Sequence, residues 1–386
     1  MSIGLTASIR REIGVMTSRG SYLVMMVIIP LLLMLFFVGL LEPGLPLKVP
    51  TAIVDLDQSE MSRRVTRNLA ATELISIDKA CESYDQAMAA VRRGEIFGFF
   101  VIPADFQRDV VSGRKPTLEF FNNLTYFVPG TLAFKGFKTV AVTTSAGVVR
   151  TQLISAGAPD ESVAPLLQPV VIADQPIGNP WLNYSIYLSP SFLFGCMALL
   201  IMIMSTFGIT MEIKRGTSVE WLSTARGSMS VALAGKLIPH FVVWSVMGQF
   251  LLSLLFCYRQ FPCGDLPALM VAMELFIIAT QAVGVLFSSI VPNPRMALIM
   301  SCLTGILTFS FAGYSFPVDN MYGAIGIFSY LVPVRYMFLI YIFAGLDSFP
   351  VYYCRYYFAA LIVFPLVAST LLWRLKKACL NPVYVP

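Results

Sequence analysis

One long polar interruption between apolar segments constrains the fold of this chain more than any other feature. An apolar run at 21–41 is followed by the predominantly polar stretch 42–185, and apolar segments then continue almost to the C-terminus. A backbone in hydrocarbon must satisfy its own hydrogen bonds, so each apolar run of about 20 residues is predicted to be a membrane-spanning helix. The pattern indicates a multi-pass membrane protein that holds one domain outside the bilayer.

The apolar segments predict six transmembrane helices. They lie at 21–41, 191–210, 231–258, 266–289, 296–314 and 356–373. Hydrophobic residues make up 57% of the chain and charged residues only 13%, which excludes an ordinary soluble protein. The predicted fold is therefore a membrane α-helical protein with an α/β domain inserted between helices 1 and 2.

Basic residues at the ends of the spans predict the orientation. One set of flanks carries Arg10, Arg11, Arg19, Lys214, Arg215, Arg226, Lys236, Arg295, Arg374, Lys376 and Lys377. The opposite short loops carry Arg259, Arg335 and Arg355. Because basic flanks remain in the cytoplasm, both termini are predicted to be cytoplasmic and 42–185 extracytoplasmic.

The N-terminal region divides into two parts. Residues 1–20 mix isoleucines with Arg10 and Arg11, which favours an amphipathic helix on the inner leaflet over a merely basic tail. The run 21–41 is longer than the apolar region of a signal peptide and ends without a small-residue cleavage site. It is expected to be a retained transmembrane anchor.

The segment 42–185 alternates strand-like and helix-like patterns. Strands are predicted at 49–55, 74–77, 96–102, 117–122 and 170–173, with helices between them. Asp57 and Glu60 are expected to form a capping box on the first of these helices. The spacing of Asp55, Asp57 and Ser59 resembles a calcium loop but lacks its glycine and its distal glutamate, so capping is the preferred interpretation.

Enzymatic motifs are not present in this sequence. His240 is its only histidine, so neither a Ser-His-Asp triad in the polar domain nor a histidine-rich metal site is expected. The pair Gly235-Lys236 lacks the glycine and the hydroxyl residue that a phosphate-binding loop requires. The chain is therefore expected to bind no cofactor, and any ATP must be hydrolysed elsewhere. The small net charge of +5 gives no indication of nucleic-acid binding.

The loop between the second and third spans, 211–228, is a candidate docking element. It places charged residues beside Trp221 and Leu222, whose apolar side chains need a protein or lipid surface to cover them. An aromatic anchor with charges around it is typical of a protein interface. An ordinary interfacial loop with a tryptophan at the headgroups is the alternative.

Several segments together resemble the membrane permease of type-2 ABC exporters. In the membrane part they are Glu212 with 215–217, 220–222 and Gly235-Lys236, followed by 316–321 and 330–336. Segments 52–59 and 94–106 are similar to the subgroup with a large extracytoplasmic domain, as in bacterial multidrug and YhhJ-like permeases.

The resemblance implies a permease subunit of an ATP-driven exporter in a bacterial cytoplasmic (inner) membrane. ATP and magnesium would be bound by a partner ABC ATPase subunit. Two permeases, as a homodimer or a heterodimer with a paralogue, would form the pathway, and a periplasmic adaptor is a possible further partner beside membrane lipid. The loop 211–228 would be the coupling element, carried by Glu212, Gly216, Thr217, Glu220 and Leu222 with Arg10 and Arg11 beside them.

Two further polar features lie in the apolar part. The stretch 316–347 is broken by prolines and glycines and is expected to form a re-entrant pair of short helices, with Asp319 and Arg335 as an ionic clasp. Glu274 is the acidic residue inside the predicted fourth span, which makes it either a gate in a polar pathway or half of a structural pair.

Two other classes of function remain open on the sequence alone. The main alternative is a non-transporting scaffold or receptor whose outer domain binds a partner protein. An ion-coupled carrier is less consistent with the sequence, because several spans would then carry polar residues. Copurification with an ATPase would separate an exporter from a scaffold.

Overall fold

The computed structural model describes residues 4–157, 159, 163, 178–180 and 183–382. The chain forms two compact units, one from Met1–Gly44 with Gln175–Pro386 and the other from Leu45–Asp174. The first is helical and holds the apolar segments. The second is an α/β unit.

Helices long and apolar enough to span a membrane make up most of the helical unit. Helix α1, Leu5–Thr17, precedes the first of them. Within the described residues six helices qualify: α2 (Gly20–Leu40), α7 (Tyr184–Lys214), α9 (Met229–Tyr258), α10 (Leu266–Ile290), α11 (Pro294–Phe311) and the pair α14–α15 (Val351–Leu380). In this pair α14 is Val351–Ser369 and α15 is Leu372–Leu380. The structure thus has about the predicted number of helices that could span a membrane.

The core of the helical unit lies between α7 and α10, the two most buried of these helices. Gly284 on α10 lies so close to α7 that a Cβ there would be 2.8 Å from the Cβ of Ser205. Small residues allow such close contact of helix backbones in membranes. The remaining helices expose broad apolar faces, as expected for surfaces in contact with lipid.

The stretch 316–347 is broken, as the sequence predicts. Beyond a turn at Val318–Asn320 it contains α12, Gly323–Ser329, and α13, Pro333–Leu346. The two helices are bent by 77° with respect to each other. Counted as one span they would bring the number to seven.

The α/β unit is built on a four-stranded sheet of order β2-β1-β3-β4. The strands are β1 (Val49–Asp55), β2 (Ile75–Cys81), β3 (Gly98–Ile102) and β4 (Glu119–Asn122). Strand β1 pairs in parallel with β2 and β3, and β4 is antiparallel to β3. The predicted strand at 170–173 lies outside the described residues.

Helices cover both faces of the sheet. They are α3 (Glu60–Ala70), α4 (Tyr84–Arg92), α5 (Phe106–Val111) and α6 (Phe127–Ser155). Successive strand residues face opposite sides, so Ile53 and Phe100 pack with α3, α5 and α6 while Ala52 and Phe99 pack with α4. The strands are correspondingly apolar on both faces.

One sequence interpretation needs correction in this unit. The cap of α3 is Ser59, whose hydroxyl accepts a hydrogen bond from Ser62 N at 3.1 Å, while Asp57 instead accepts from Gln107 N.

The α/β unit comprises Leu45–Asp174, compared with the predicted domain 42–185. Glu42 belongs to the helical unit and forms an ion pair with Arg259 at 2.8 Å.

Candidate functional site

Helix α1 packs closely against α9 because two small residues meet at their crossing. A Cβ added at Gly235 would lie 2.3 Å from Ser8 Oγ, and Ser8 is itself buried. The close approach brings Glu12 of α1 beside Lys236 and His240 of α9. Positions 236 and 240 are four residues apart and therefore share one face of their helix.

Glu12 is the centre of a buried group of charges. Its Oε2 accepts a hydrogen bond from Lys236 Nζ at 2.5 Å, and its Oε1 lies 2.9 Å from His240 Nε2. Glu12, Lys236 and His240 are each at most 1% exposed. Because an isolated buried carboxylate is very costly, these two donors account for its burial.

Glu212, near the end of α7, joins the same group. It accepts two hydrogen bonds from the Arg11 guanidinium, at 2.7 and 2.9 Å, and a third from Lys236 Nζ at 3.0 Å. Thr217 Oγ1 also donates to it. Arg11, Glu12, Glu212, Lys236 and His240 are called the charge cluster below. It contains two carboxylates and two permanent cations, and it connects α1, α7 and α9.

The short helix α8, Ser218–Thr224, lies against the charge cluster. Trp221 donates from Nε1 to Ala232 O at 3.2 Å, and its ring lies 5.2 Å from Lys236 Nζ. Ser218 Oγ donates to Cys379 O at 2.8 Å, and Gly4 N donates to Thr224 O at 2.8 Å. Helix α8 is thus attached to α1, α9 and α15.

The outer face of α8 is exposed. Val219 is 49% exposed, and Glu220 and Ser223 are exposed beside it. Trp221 and Leu222 point the other way and are buried. This face of α8 is a small surface of apolar and acidic side chains, on a helix whose other face lies against the charge cluster.

Electrostatics favour the charged form of the groups on α1. Burial by itself raises the pKa of Glu12, but the His240 hydrogen bond and the charge of Lys236 outweigh it and lower the pKa below its usual range. The hydrogen bond to Glu212 raises the pKa of Arg11. Both groups are therefore ionised at neutral pH, and the attraction between the helices is permanent.

The chain, which combines these apolar helices with an inserted α/β unit, matches a known protein family over nearly its whole length. The model of the ABC-2 family of transporter proteins matches residues 20–374. The chain belongs to the ABC-2 family. As a type-2 ABC permease it has a transport role and is not an enzyme.

Curated relatives of this ABC-2 permease have the same role in their names. The linearmycin resistance permease protein LnrN of Bacillus subtilis (strain 168) is 24% identical over 303 residues, covering 75% of this chain and 77% of the relative. The probable multidrug ABC transporter permease YbhS of Escherichia coli (strain K12) is 24% identical over 344 residues, covering 82% and 81%. YbhR of the same strain, also a probable multidrug permease, is 23% identical over 159 residues, covering 41% and 43%.

The predicted coupling residues of this ABC-2 permease fall into two groups. Gly216, Glu220 and Arg10 are exposed. Arg11 and Thr217 are half-buried and bind Glu212, which is buried together with Leu222. The expectation that Trp221 and Leu222 need an outside surface to cover them is wrong, because α9 and α15 of the same chain cover them. The carboxylate of Glu212 likewise binds side chains of the same chain, namely Arg11, Lys236 and Thr217.

Sequence reasoning missed three members of the charge cluster. The sequence predictions place Lys236 in a basic flank, use His240 only to exclude histidine-dependent sites, and do not single out Glu12. The sequence feature that could have indicated the charge cluster is Lys236, since a lysine among apolar residues of a span needs an acidic partner. Together with His240 one turn later, Lys236 predicts a polar face on that helix. It does not predict which acidic residue contacts that face.

Glu274 of this ABC-2 permease lies on α10 and faces α9. Its Oε1 accepts from Ser245 Oγ at 2.7 Å and from Gln249 Nε2 at 2.6 Å. Its Oε2 has no hydrogen-bond partner within the described residues, and neither has Gln249 Oε1. The partners are neutral, so the structural alternative is a hydrogen-bonded group and not an ion pair.

Asp319 and Arg335 do not form the expected clasp. Asp319 is exposed in the turn before α12, and the Arg335 guanidinium stacks on Tyr330, 4.8 Å from its ring centre. Among the described residues the buried Arg335 Nε has no hydrogen-bond partner. An aromatic ring replaces the predicted carboxylate because α12 ends directly before Tyr330, which brings that ring within reach.

Proposed function

We propose that this chain is the permease subunit of an ATP-driven exporter. A separate ABC ATPase subunit binds ATP and magnesium, and two permeases, identical or paralogous, form the pathway between them. Family membership and the permease names of the relatives support the transport role. The coupling to an ATPase is supported by the geometry of α8 and the charge cluster.

The charge cluster is the observation that carries the coupling proposal. The exposed face of α8 offers Val219 and Glu220 to a partner, while Trp221 and Ser218 fix its inner face to the chain. Behind α8, the ion pairs join α1 to α7 and α9. Force applied to α8 therefore moves the inner ends of two spans together, as rigid-body coupling requires.

The test separates docking from folding. The double variant V219D/E220K changes only exposed side chains, so the chain should unfold at the same temperature as the unmodified protein while losing stimulation of, and copurification with, the proposed ATPase subunit. E82K is the matched control, because Glu82 is an exposed acid of the α/β unit. Unchanged ATPase stimulation in V219D/E220K contradicts this coupling surface.

The proposed orientation places both termini in the cytoplasm of a bacterium and the α/β unit outside the inner membrane. There the α/β unit is available to a periplasmic adaptor. With Cys257 replaced by serine, a membrane-impermeant thiol reagent should label K115C in intact spheroplasts and S223C only after lysis. Both positions are exposed, so the reverse pattern of labelling rules out this orientation.

Glu274 is proposed to act in a polar pathway or gate. E274Q keeps an oxygen that accepts from Ser245 and Gln249, so thermal stability should change by less than about 1 kcal/mol while transport-linked ATPase activity changes. E274A removes the acceptor of Ser245 Oγ and one of the two acceptors of Gln249 Nε2, which keeps Met270 O, and should lower stability by about 1–3 kcal/mol. Loss of stability in E274Q with unchanged activity instead assigns Glu274 a purely structural role.

A further inference from the structure

A second polar site lies at the same end of the spans as the end of α7. A cavity of about 630 Å³ opens between the end of α7, the α10–α11 connection and α15. Its polar lining includes Arg374, Lys377, Asn293 and Asn381. Among the described residues that line it, none is acidic. It shares no residue with the charge cluster.

The two basic side chains of this cavity have no counter-charge among the residues that the structure describes. Within the described residues neither Arg374 nor Lys377 forms an ion pair or a side-chain hydrogen bond. Positions 374, 377 and 381 are three and four residues apart and so share one face of the helical segment. Asn293 lies at the N-terminus of α11, where the helix dipole adds positive potential. The cavity is therefore a positively charged site.

The depth of the cavity matches the lipid headgroups. Arg355, near the start of α14, stacks on Tyr352 and Tyr356, an arrangement typical of one membrane interface. About 20 residues of helix cross the hydrocarbon, which places the other interface near Leu375. Trp373 is 66% exposed at this level and lines the cavity beside Arg374. Tryptophan and arginine are the residues that anchor a helix at the headgroups.

The walls of the cavity suit a molecule with a charged head and an apolar body. Trp373, Ile213, Pro292 and Ala378 form its apolar side. A free inorganic anion would leave this side uncovered, whereas a phospholipid would cover it with its glycerol and the first part of its acyl chains. Basic pockets between spans at this depth are a known way to hold acidic headgroups.

We propose that this cavity binds the phosphate of an anionic phospholipid, with Arg374 and Lys377 as its ligands and Trp373 against the glycerol region. The proposal does not depend on the transport function. An anionic lipid held between α7, α11 and α15 would stabilise the contact of these three helices.

Thermal unfolding of the full chain in a neutral detergent tests the proposal. Phosphatidylglycerol should raise the unfolding temperature in a saturable way, and phosphatidylcholine and inorganic phosphate at equal phosphate concentration should not. With two basic ligands removed, R374Q/K377Q should bind phosphatidylglycerol about 30-fold more weakly. K214Q/R215Q is the matched control and should behave as the unmodified chain, because Lys214 and Arg215 are exposed at the inner end of α7 but lie outside the cavity.

Three results would overturn the proposal. Equal weakening in both double variants shows a general attraction to acidic surfaces. An equal shift with inorganic phosphate shows a free-anion site. Absence of any shift with phosphatidylglycerol shows that no such lipid binds.

Fluorescence gives a second reading if R374Q/K377Q fails to fold. Phosphatidylglycerol brominated near the top of its acyl chains should quench Trp373 in the unmodified chain more strongly than brominated phosphatidylcholine does. The difference should disappear in W373F, which keeps both basic ligands and the apolar wall. A difference that persists in W373F places the lipid elsewhere and contradicts the site.

Discussion

Lys236 lies inside a mostly apolar helix, with its ammonium group 2.5 Å from Glu12 and 3.0 Å from Glu212. At the residue scale, this lysine is the sequence feature from which the charge cluster could have been predicted, because a lysine inside a span needs an acidic partner nearby. The sequence alone does not show which acidic residue is that partner. Glu12 is 224 positions away in the chain, and only the packing of α1 on α9 brings the two together.

Replacing Lys236 by methionine tests whether the charge cluster stabilises the chain. K236M leaves two buried carboxylates with too few donors and should lower the stability to unfolding by about 3–5 kcal/mol. K138M, at an exposed lysine of α6, should stay within about 0.5 kcal/mol. Thermal unfolding in detergent measures both. In E12Q/K236M the loss should be smaller than the sum of the two single losses, and strict additivity would contradict a direct interaction.

Glu12 should also make stability depend on pH. Its pKa in the folded chain lies below the ordinary value of 4.5, so the stabilising contribution is complete above that pH and is lost as the pH falls through the folded pKa. The gap in unfolding temperature between the unmodified chain and E12Q should be constant between about pH 5 and 7 and should narrow below about pH 4.5. A gap that widens on acidification has the wrong sign for this mechanism.

At the scale of elements, periodicity predicted most helices and strands, because apolar runs and alternating patterns are local properties. Helix α1 shows what local patterns miss. Its polar residues suggested contact with headgroups, yet Glu12 and Ser8 face α9 and are buried. The prediction of an ionic clasp between Asp319 and Arg335 is wrong for the same reason. The two residues are near in sequence, but Asp319 is exposed whereas Arg335 stacks on Tyr330.

The contact of α1 with α9 depends on Gly235. G235A would place a methyl group 2.3 Å from Ser8 Oγ, so α1 must shift, at a cost of about 1–3 kcal/mol. G147A is the control, because a Cβ there meets no atom within 4 Å on α6 and alanine favours a helix by up to about 1 kcal/mol. Unfolding temperatures decide the comparison. S8G/G235A should recover most of the loss, and a G235A chain as stable as G147A would show that the helices are not in close contact.

At the scale of the whole molecule, the order of apolar and polar segments was sufficient to predict six spans and an inserted α/β unit. It did not predict how the ends of the spans near α8 are joined. That depends on contacts between distant parts of the chain, such as Ser218 with Cys379 and Gly4 with Thr224. These contacts make α8 a surface that is exposed on one side and fixed on the other.

Photocrosslinking from α8 in intact membranes tests the account most directly. A photoreactive amino acid at position 219, which is exposed above the charge cluster, should form a covalent adduct with an ABC ATPase subunit, identified by mass spectrometry of the product. The same amino acid at position 82 of the α/β unit should form no such adduct. If position 219 of a correctly inserted chain yields adducts only with lipid or with proteins that bind no nucleotide, α8 is not the coupling surface of an ATP-driven permease.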